Sequence, residues 1–526
     1  VTPLDYVFAG IHQAFLGNPA FTLGPLVISW AIVMVVSGFF TGVLIGATPG
    51  LSGPFAMAMA LPVLISSFGY TPDALLPVMG FLVGIMKGAT IGGAVPAILF
   101  NTPGTPDAVM TTLDGYPMAR NGQGGKALRV AQFAAVTGDT FSDLVLFTCA
   151  PFLAFTIEEF LGLPEKAALM ILSLSFVAAV VGSNPAKGLF AACFGLFVAA
   201  IGTGADSYPR LSLGMDSLAS GFPTIAVFVG VLIVGELFVS FDQLWRKGVE
   251  SDHYQETGLG DNTLSWPERR KLMPYISISM CVGTIIGALP GIGTTLAAAL
   301  GYTAGRNIHK GEPDFGKGAP GGVASTEAAS SAVSGANLIP ALSLGIPGNV
   351  AAVFIIVAAD TIGGFNPGPS VFKFSTENVN SELVIAFGLF TLMMVANITN
   401  WFTGASFMRL LGGLVHIPAK ILLPAVLLLT LTSTYVQEGH MIGIYVTLGF
   451  GIVGYLMRLG GIPILPMVIA FILTSPLETA IRNAFEASGS DPWFLLRSPI
   501  AVLFLVMSLV LLSVSGRLQG KKIKPA

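Results

Sequence analysis

A succession of apolar stretches separated by short polar loops leaves few folds open to this chain. They fall near 23–47, 54–68, 75–100, 131–157, 167–183, 188–202, 222–243, 274–289, 293–304, 322–346, 348–361, 383–411, 421–434, 441–457, 462–475 and 498–515. Of the 526 residues, 53% are hydrophobic and 10% charged; an average soluble domain has roughly 25% charged. So few charges cannot cover a water-exposed surface, whereas lipid requires none. At about 20 apolar residues per span, the expectation is an all-α polytopic membrane protein of about 11–14 transmembrane segments. The net charge of −3 supplies no basic excess for nucleic acid, so the expected surroundings are a lipid bilayer. Several stretches are too short to cross alone and lie beside proline and glycine, which predicts discontinuous or re-entrant helices.

The chain also repeats itself. Residues 42–53 (GVLIGATPGLSG) align without gaps to 283–294 (GTIIGALPGIGT), and 96–104 (PAILFNTPG) align to 340–348 (PALSLGIPG) at nearly the same offset. Two matches in order point to a duplication. The expected organisation is an amphipathic lead-in (1–22), a first membrane repeat (23–244), a cytoplasmic connector (245–272), a second membrane repeat (273–515) and a basic cytoplasmic tail (516–526).

Loop charges orient the copies, because short cytoplasmic loops collect Lys and Arg. Loop 66–76 has neither, while its counterpart 305–318 has Arg306, Lys310 and Lys317. After the second motif, loop 114–129 has Arg120, Lys126 and Arg129, whereas 361–382 has only Lys373. The bias reverses, so the repeats are expected to be inverted, with Pro-Gly helical hairpins in each.

Proline removes a helix hydrogen bond and glycine permits a sharp turn, so each Pro-Gly motif can free carbonyls on one side and N–H groups on the other. Carbonyls suit Na⁺, and N–H groups at a half-helix start suit an anion. The hairpin tips supply the candidate substrate residues Asn101, Thr102, Gly104, Thr105, Pro347, Gly348 and Asn349. The earlier breaks supply candidate cation-coupling groups at Thr48, Pro49, Gly50, Ser52, Pro290, Gly291 and Thr294, with a Na⁺ site expected there. The competing reading is that these are kinks whose hydroxyls bond back to their own helices.

Charged residues inside apolar segments cost about 2.5–3.5 kcal/mol each on insertion scales. They are Lys87, Asp139, Asp143, Glu236, Glu327 and Asp360. Asp139 and Asp143 share a helical face and, with Glu327, are candidates for coupling to H⁺ or another cation. Lys87 is a candidate for the substrate carboxylate, with a structural ion pair to an aspartate as the alternative. No P-loop is present, so transport would draw on an ion gradient. A passive anion channel is one rival. An intramembrane protease is another, resting on Gly404-Ala405-Ser406-Phe407 and His416, but that spacing leaves both at one helix end; no enzyme activity and no cofactor beyond the coupling ion are expected.

The runs GATPGLSGPFAMAMALP, NTPGTPDAVMTTLDGYPMARNGQGGKAL, GALPGIGTTLAAALGY and ALSLGIPGN, in this order, resemble the large membrane subunit of the bacterial tripartite tricarboxylate transporters, across residues 20–480. The resemblance implies a cytoplasmic-membrane importer that receives carboxylates from a periplasmic binding protein and works with a small four-span membrane subunit. It also implies H⁺ or Na⁺ symport by elevator-like movement. The chain departs from the family at Ile91-Gly92-Gly93, where Tyr-Gly-Gly is common, and at 324–332, which keeps Glu327 but lacks two asparagines. These departures lie in the expected substrate region, so the expected substrate is a di- or tricarboxylate that need not be citrate, or another small organic anion.

Overall fold

In the computed structural model all residues are described except 1–2, 24–25, 49–50, 182–183, 204–207, 213, 215–217, 248–262, 310–313, 375–378, 413–418 and 521–526. Among the described residues the chain is all-α but for two short hairpins. In order, the helices are α1 (Pro3–Leu16), α2 (Trp30–Gly46), α3 (Gly53–Phe68), α4 (Leu75–Phe100), α5 (Val109–Met118), α6 (Gly124–Phe160), α7 (Leu163–Val180), α8 (Pro185–Ala199), α9 (Thr224–Phe228), α10 (Gly235–Lys247) and α11 (Trp266–Gly287). Then follow α12 (Gly293–Ile308), α13 (Pro320–Ala336), α14 (Leu338–Leu344), α15 (Val350–Ile362), α16 (Ser381–Thr399), α17 (Ala405–Gly412), α18 (Ala419–Glu438), α19 (Met441–Leu459), α20 (Leu465–Ala487), α21 (Phe494–Arg497) and α22 (Pro499–Gly520).

Among the described residues seven helical segments are long and apolar enough to cross a membrane, and five shorter helices are apolar as well. The apolar stretch expected from residue 23 starts as a hairpin, Pro19–Leu23 paired with Leu26–Ser29. Ser29 then caps α2, accepting from Ile32 N at 3.2 Å and donating to the Ala14 carbonyl. An N-cap serine satisfies a donor that the first helical turn leaves free.

The chain divides into two compact units, Val1–Phe152 with Lys247–Leu422, and Leu153–Arg246 with Leu423–Ala526. Each draws on both halves of the sequence: the first holds the front portion of each expected repeat, the second the rear portion. Most of the expected connector (248–262) and the end of the tail (521–526) lie outside the described residues.

In the first unit α2 and α4 run parallel with their backbones in contact. A Cβ on Gly38, Gly42 or Gly46 would lie 2.3, 2.5 or 2.2 Å from the carbonyl oxygens of Phe81, Ile85 and Ala89; one on Gly84, Gly88 or Gly92 would lie 2.4, 2.1 or 2.3 Å from those of Val35, Phe39 and Val43. Such small-xxx-small rows are how helices approach closely in lipid. The second copy repeats the arrangement with α11 on α13, where a Cβ on Gly283 would lie 2.2 Å from the Ala329 carbonyl oxygen. The sequence match thus becomes a structural one: α2, α3, α4 and α5 correspond to α11, α12, α13 with α14, and α15.

In the second unit α7 and α8 pack with α20 and α22, and α19 packs on residues 224–234. The helix widens at Val229–Val234. Arg458 fills the opening: its guanidinium donates to Val231 O at 2.7 Å and Leu232 O at 3.0 Å, and pairs with Glu236 at 2.7 Å. Glu236 is therefore held by an ion pair within this unit.

Candidate functional site

Both hairpin tips belong to the first unit and close in the same way. Asn101 ends α4 with φ 55° and Gly345 ends α14 with φ 71°, both left-handed. Thr102 N donates to Pro96 O and Ile346 N to Pro340 O, each at 3.2 Å. Each bond reaches back six residues, one further than the 6→1 bond of a Schellman motif, around a left-handed residue in the same place. Glycine takes a left-handed φ without cost, and asparagine is among the few other residues that do so readily.

Each tip folds back onto its own copy. Gly104 is buried, with its N–H on Gly93 O at 3.3 Å, and a Cβ on it would lie 2.1 Å from Gly46 O, at the end of α2. In the second copy Gly291 N donates to Gly348 O at 2.8 Å, joining the break directly to the tip. Tip and break, read from sequence as separate sites, therefore meet within a repeat. Pro49 and Gly50 lie outside the described residues.

The side chains divide. Thr48 Oγ1 donates to Leu44 O at 2.9 Å and Thr102 Oγ1 to Phe100 O at 3.2 Å, so both satisfy their own chain. Asn349 caps α15, its Oδ1 accepting from Ala352 N at 2.9 Å, which leaves its Nδ2 as the donor. Asn101 is exposed at its tip, Thr105 is buried against Gly93, and Pro347 and Gly348 are buried. Ser52, Pro290 and Thr294 are half-buried. Beside Gly348, Asn337 is 1% exposed and neither atom of its amide has a partner.

Lys87 does not stand at a tip. It bridges the two aspartates of α6, with Nζ 3.1 Å from Asp139 Oδ1 and 2.9 Å from Asp143 Oδ2. All three are at most 3% exposed. Asn397 on α16 donates to Asp143 Oδ2 at 2.7 Å, and Ser334 on α13 donates to Asp139. Two carboxylates face one ammonium, so the group carries one negative charge in excess when fully ionised. Glu327, also buried, is bonded to Thr111 Oγ1 on α5, and Asp107 is within electrostatic reach. Asp360 is exposed at the end of α15.

Sequence reasoning passed over Asp114, Thr111, Asn337, Ser334 and Asn397. Asp114 could have been found, because it opens the Asp-Gly-Tyr-Pro-Met-Ala run that carried the resemblance. Its Oδ1 accepts from Gly316 N, Gly318 N and Ala319 N at 2.8–2.9 Å. It ties α5 of copy one to the start of α13 in copy two.

Fold and site together define a polytopic helical membrane protein built on duplicated helix breaks beside a buried ionisable network. The sequence matches the tripartite tricarboxylate transporter TctA family over residues 32–469. It is 30% identical over 493 residues to a 52.8 kDa protein in the TAR-I ttuC' 3' region of Agrobacterium vitis, covering 93% of this chain and 92% of that protein. A protein in the TAR-II ttuC' 3' region of the same organism is 30% identical over 228 residues, 43% of this chain and 91% of that protein. No solved structure matches. The chain belongs to the TctA family, and so is a multi-pass membrane subunit of a tripartite tricarboxylate transporter. The tripartite family implies partner subunits, one in the membrane and one periplasmic.

Proposed function

We propose that this chain is the translocating subunit of a secondary active importer in the bacterial cytoplasmic membrane, driven by an H⁺ or Na⁺ gradient. Its substrate is a di- or tricarboxylate or a similar small organic anion, handed over by a periplasmic binding protein. A small four-span membrane subunit completes the assembly. The observation that carries this reading is the pair of matching tips, each closed by a left-handed residue and each turned onto the break of its own repeat. Such tips present N–H groups and small polar side chains where an anion can be held without a fixed positive charge. Asn101, Thr105, Asn349 and the Gly348 N–H are the proposed substrate contacts, while Gly104, its N–H held by Gly93 O, shapes the first tip. The breaks at 48–52 and 290–294 are proposed to supply carbonyls for Na⁺ if that is the coupling ion, and Asp139, Asp143 and Glu327 to take part if it is H⁺. The first unit, which holds all these groups, would be the moving body of an elevator-like cycle.

Asn101→Gly keeps the left-handed turn and removes only the amide, and Thr105→Val removes only the hydroxyl. Both variants should reach the membrane at wild-type abundance and raise the substrate concentration needed for half-maximal uptake. Unchanged uptake kinetics in both would remove the first tip from the site. A passive channel would instead give flux that no gradient concentrates.

A further inference from the structure

The two ionisable groups of the first unit are joined by one face of α13. Glu327, Ser331 and Ser334 are spaced four and three residues apart, which stacks their side chains along a single side of the helix. They are 2%, 1% and 3% exposed. Glu327 meets Thr111 at one end, and Ser334 meets Asp139 of the Lys87–Asp139–Asp143 group at the other. Between them the Ser331 hydroxyl has no hydrogen-bond partner. Leaving a buried hydroxyl unpaired costs about 1–3 kcal/mol, so a use for it is expected. Counting back from the equivalent tip residues Asn101 and Gly345 brings Lys87 and Ser331 into register, so copy two has a bare hydroxyl where copy one has the ammonium.

The surroundings leave this face few other partners. From α5 come Thr111 and Asp114, the latter occupied by three backbone N–H groups and Tyr302. The turn before α5 brings Asp107, α4 brings Lys87, and α6 brings Asp139 and Asp143. α16 brings Asn397, which is bonded to Asp143. α11 and α12 meet α13 through Gly283, Gly287, Gly301 and Gly305, without charge. Among the described residues Glu327 has no cationic partner.

We propose that Glu327, Ser331 and Ser334 form a proton relay between the Glu327 carboxyl and the Lys87–Asp139–Asp143 group. Ser331 Oγ is unbonded in this structure, so side-chain rotation must first bring it within hydrogen-bond reach of Glu327 and Ser334; the Glu327 acid then gives its proton to Ser331 Oγ, Ser331 passes its own hydroxyl proton to Ser334 Oγ, and Ser334 passes its proton to Asp139. Both hydroxyls are regenerated, Glu327 becomes a carboxylate and Asp139 an acid, and total charge is unchanged. This rests on the H⁺-coupled form of the function proposed above and assigns the path within it.

Infrared spectroscopy of the purified chain in lipid membranes tests the relay without requiring transport. A protonated-carboxyl band that disappears in Glu327→Gln should shift on transfer to D₂O. Ser331→Ala should slow that shift about tenfold or more, as loss of a proton-transfer group does, and Ser331→Thr should restore it. Ser331→Ala should melt at or above the wild-type temperature, because deleting an unpaired buried hydroxyl relieves its desolvation cost. An unchanged exchange rate in Ser331→Ala, or no band lost in Glu327→Gln at neutral pH, would overturn the relay. In the assembled transporter, Ser331→Ala should keep substrate counterflow, which moves no net proton, and lose H⁺-driven accumulation. Wild-type assemblies with no counterflow would sink the transport reading and leave the infrared result to decide the relay.

Discussion

Asp114 accepts the Tyr302 hydroxyl at 3.0 Å across 188 residues of sequence, pinning α5 of the first copy to α12 of the second. The same carboxylate closes three backbone N–H groups ahead of α13, so one side chain joins the two repeats within the first unit. Removing it strands buried donors, each at about 1–3 kcal/mol. Asp114→Ala should therefore lower membrane abundance and melting temperature sharply, while Tyr302→Phe should cost about 1 kcal/mol. Fluorescence-detected thermal unfolding in detergent distinguishes them, and equal melting of both variants would contradict the assignment.

Lys87 compensates two buried carboxylates, and deleting one partner of a buried ion pair costs about 3–5 kcal/mol because the other charge remains. Lys87→Met alone should destabilise strongly. The triple change Lys87→Met, Asp139→Asn, Asp143→Asn should recover most of the loss, since no charge is then stranded. A triple variant no more stable than the single one would show that the cost lies in packing.

Gly88 faces the Phe39 carbonyl oxygen so closely that a Cβ would sit 2.1 Å from it. Backbone cannot yield as a flexible side chain does, so Gly88→Ala should cost about 1–3 kcal/mol by forcing α2 and α4 apart. Gly449, with nothing within 4 Å of a built Cβ, supplies the control: Gly449→Ala should be neutral or slightly stabilising in the same melting assay.

Much of this fold was legible in the sequence, and the reasons are physical. The sparse charge announced a lipid-facing chain, and the repeated Pro-Gly motifs announced the matched ends of α2 at Gly46 and of α11 at Gly287. The left-handed closures at Asn101 and Gly345 follow from the same residues. What sequence could not supply were the long-range pairings. Nothing local distinguishes Lys87 waiting for a substrate from Lys87 between Asp139 and Asp143, because the partners lie on α6 and are brought close only where α6 meets α4. Asp114 was hidden likewise, its partners being backbone N–H groups that no side-chain pattern reveals.

At the start of α11, Glu268 is held at about 2, below its ordinary 4.5, by the Lys126 ammonium first and by Ser265 next. The folded value lies below the unfolded one, so the stabilisation is present above pH 4.5 and is lost as pH falls toward about 2. Glu268→Gln should melt lower than wild type at pH 6, and the gap should narrow as the buffer is acidified to pH 3. The pair is partly exposed, so added salt should shrink the gap too. A gap independent of pH would mean that the capping contact with Ser265, not the charge, is what matters.

The central claim is that this chain concentrates a small organic anion at the expense of an ion gradient. Its most direct test is uptake of labelled di- and tricarboxylates into vesicles holding this chain with its small membrane subunit and binding protein, under an imposed H⁺ or Na⁺ gradient. The account predicts accumulation above equilibrium for at least one carboxylate, dependent on the binding protein and abolished when the gradient is collapsed. Equilibration without accumulation, unaffected by either gradient, would contradict it.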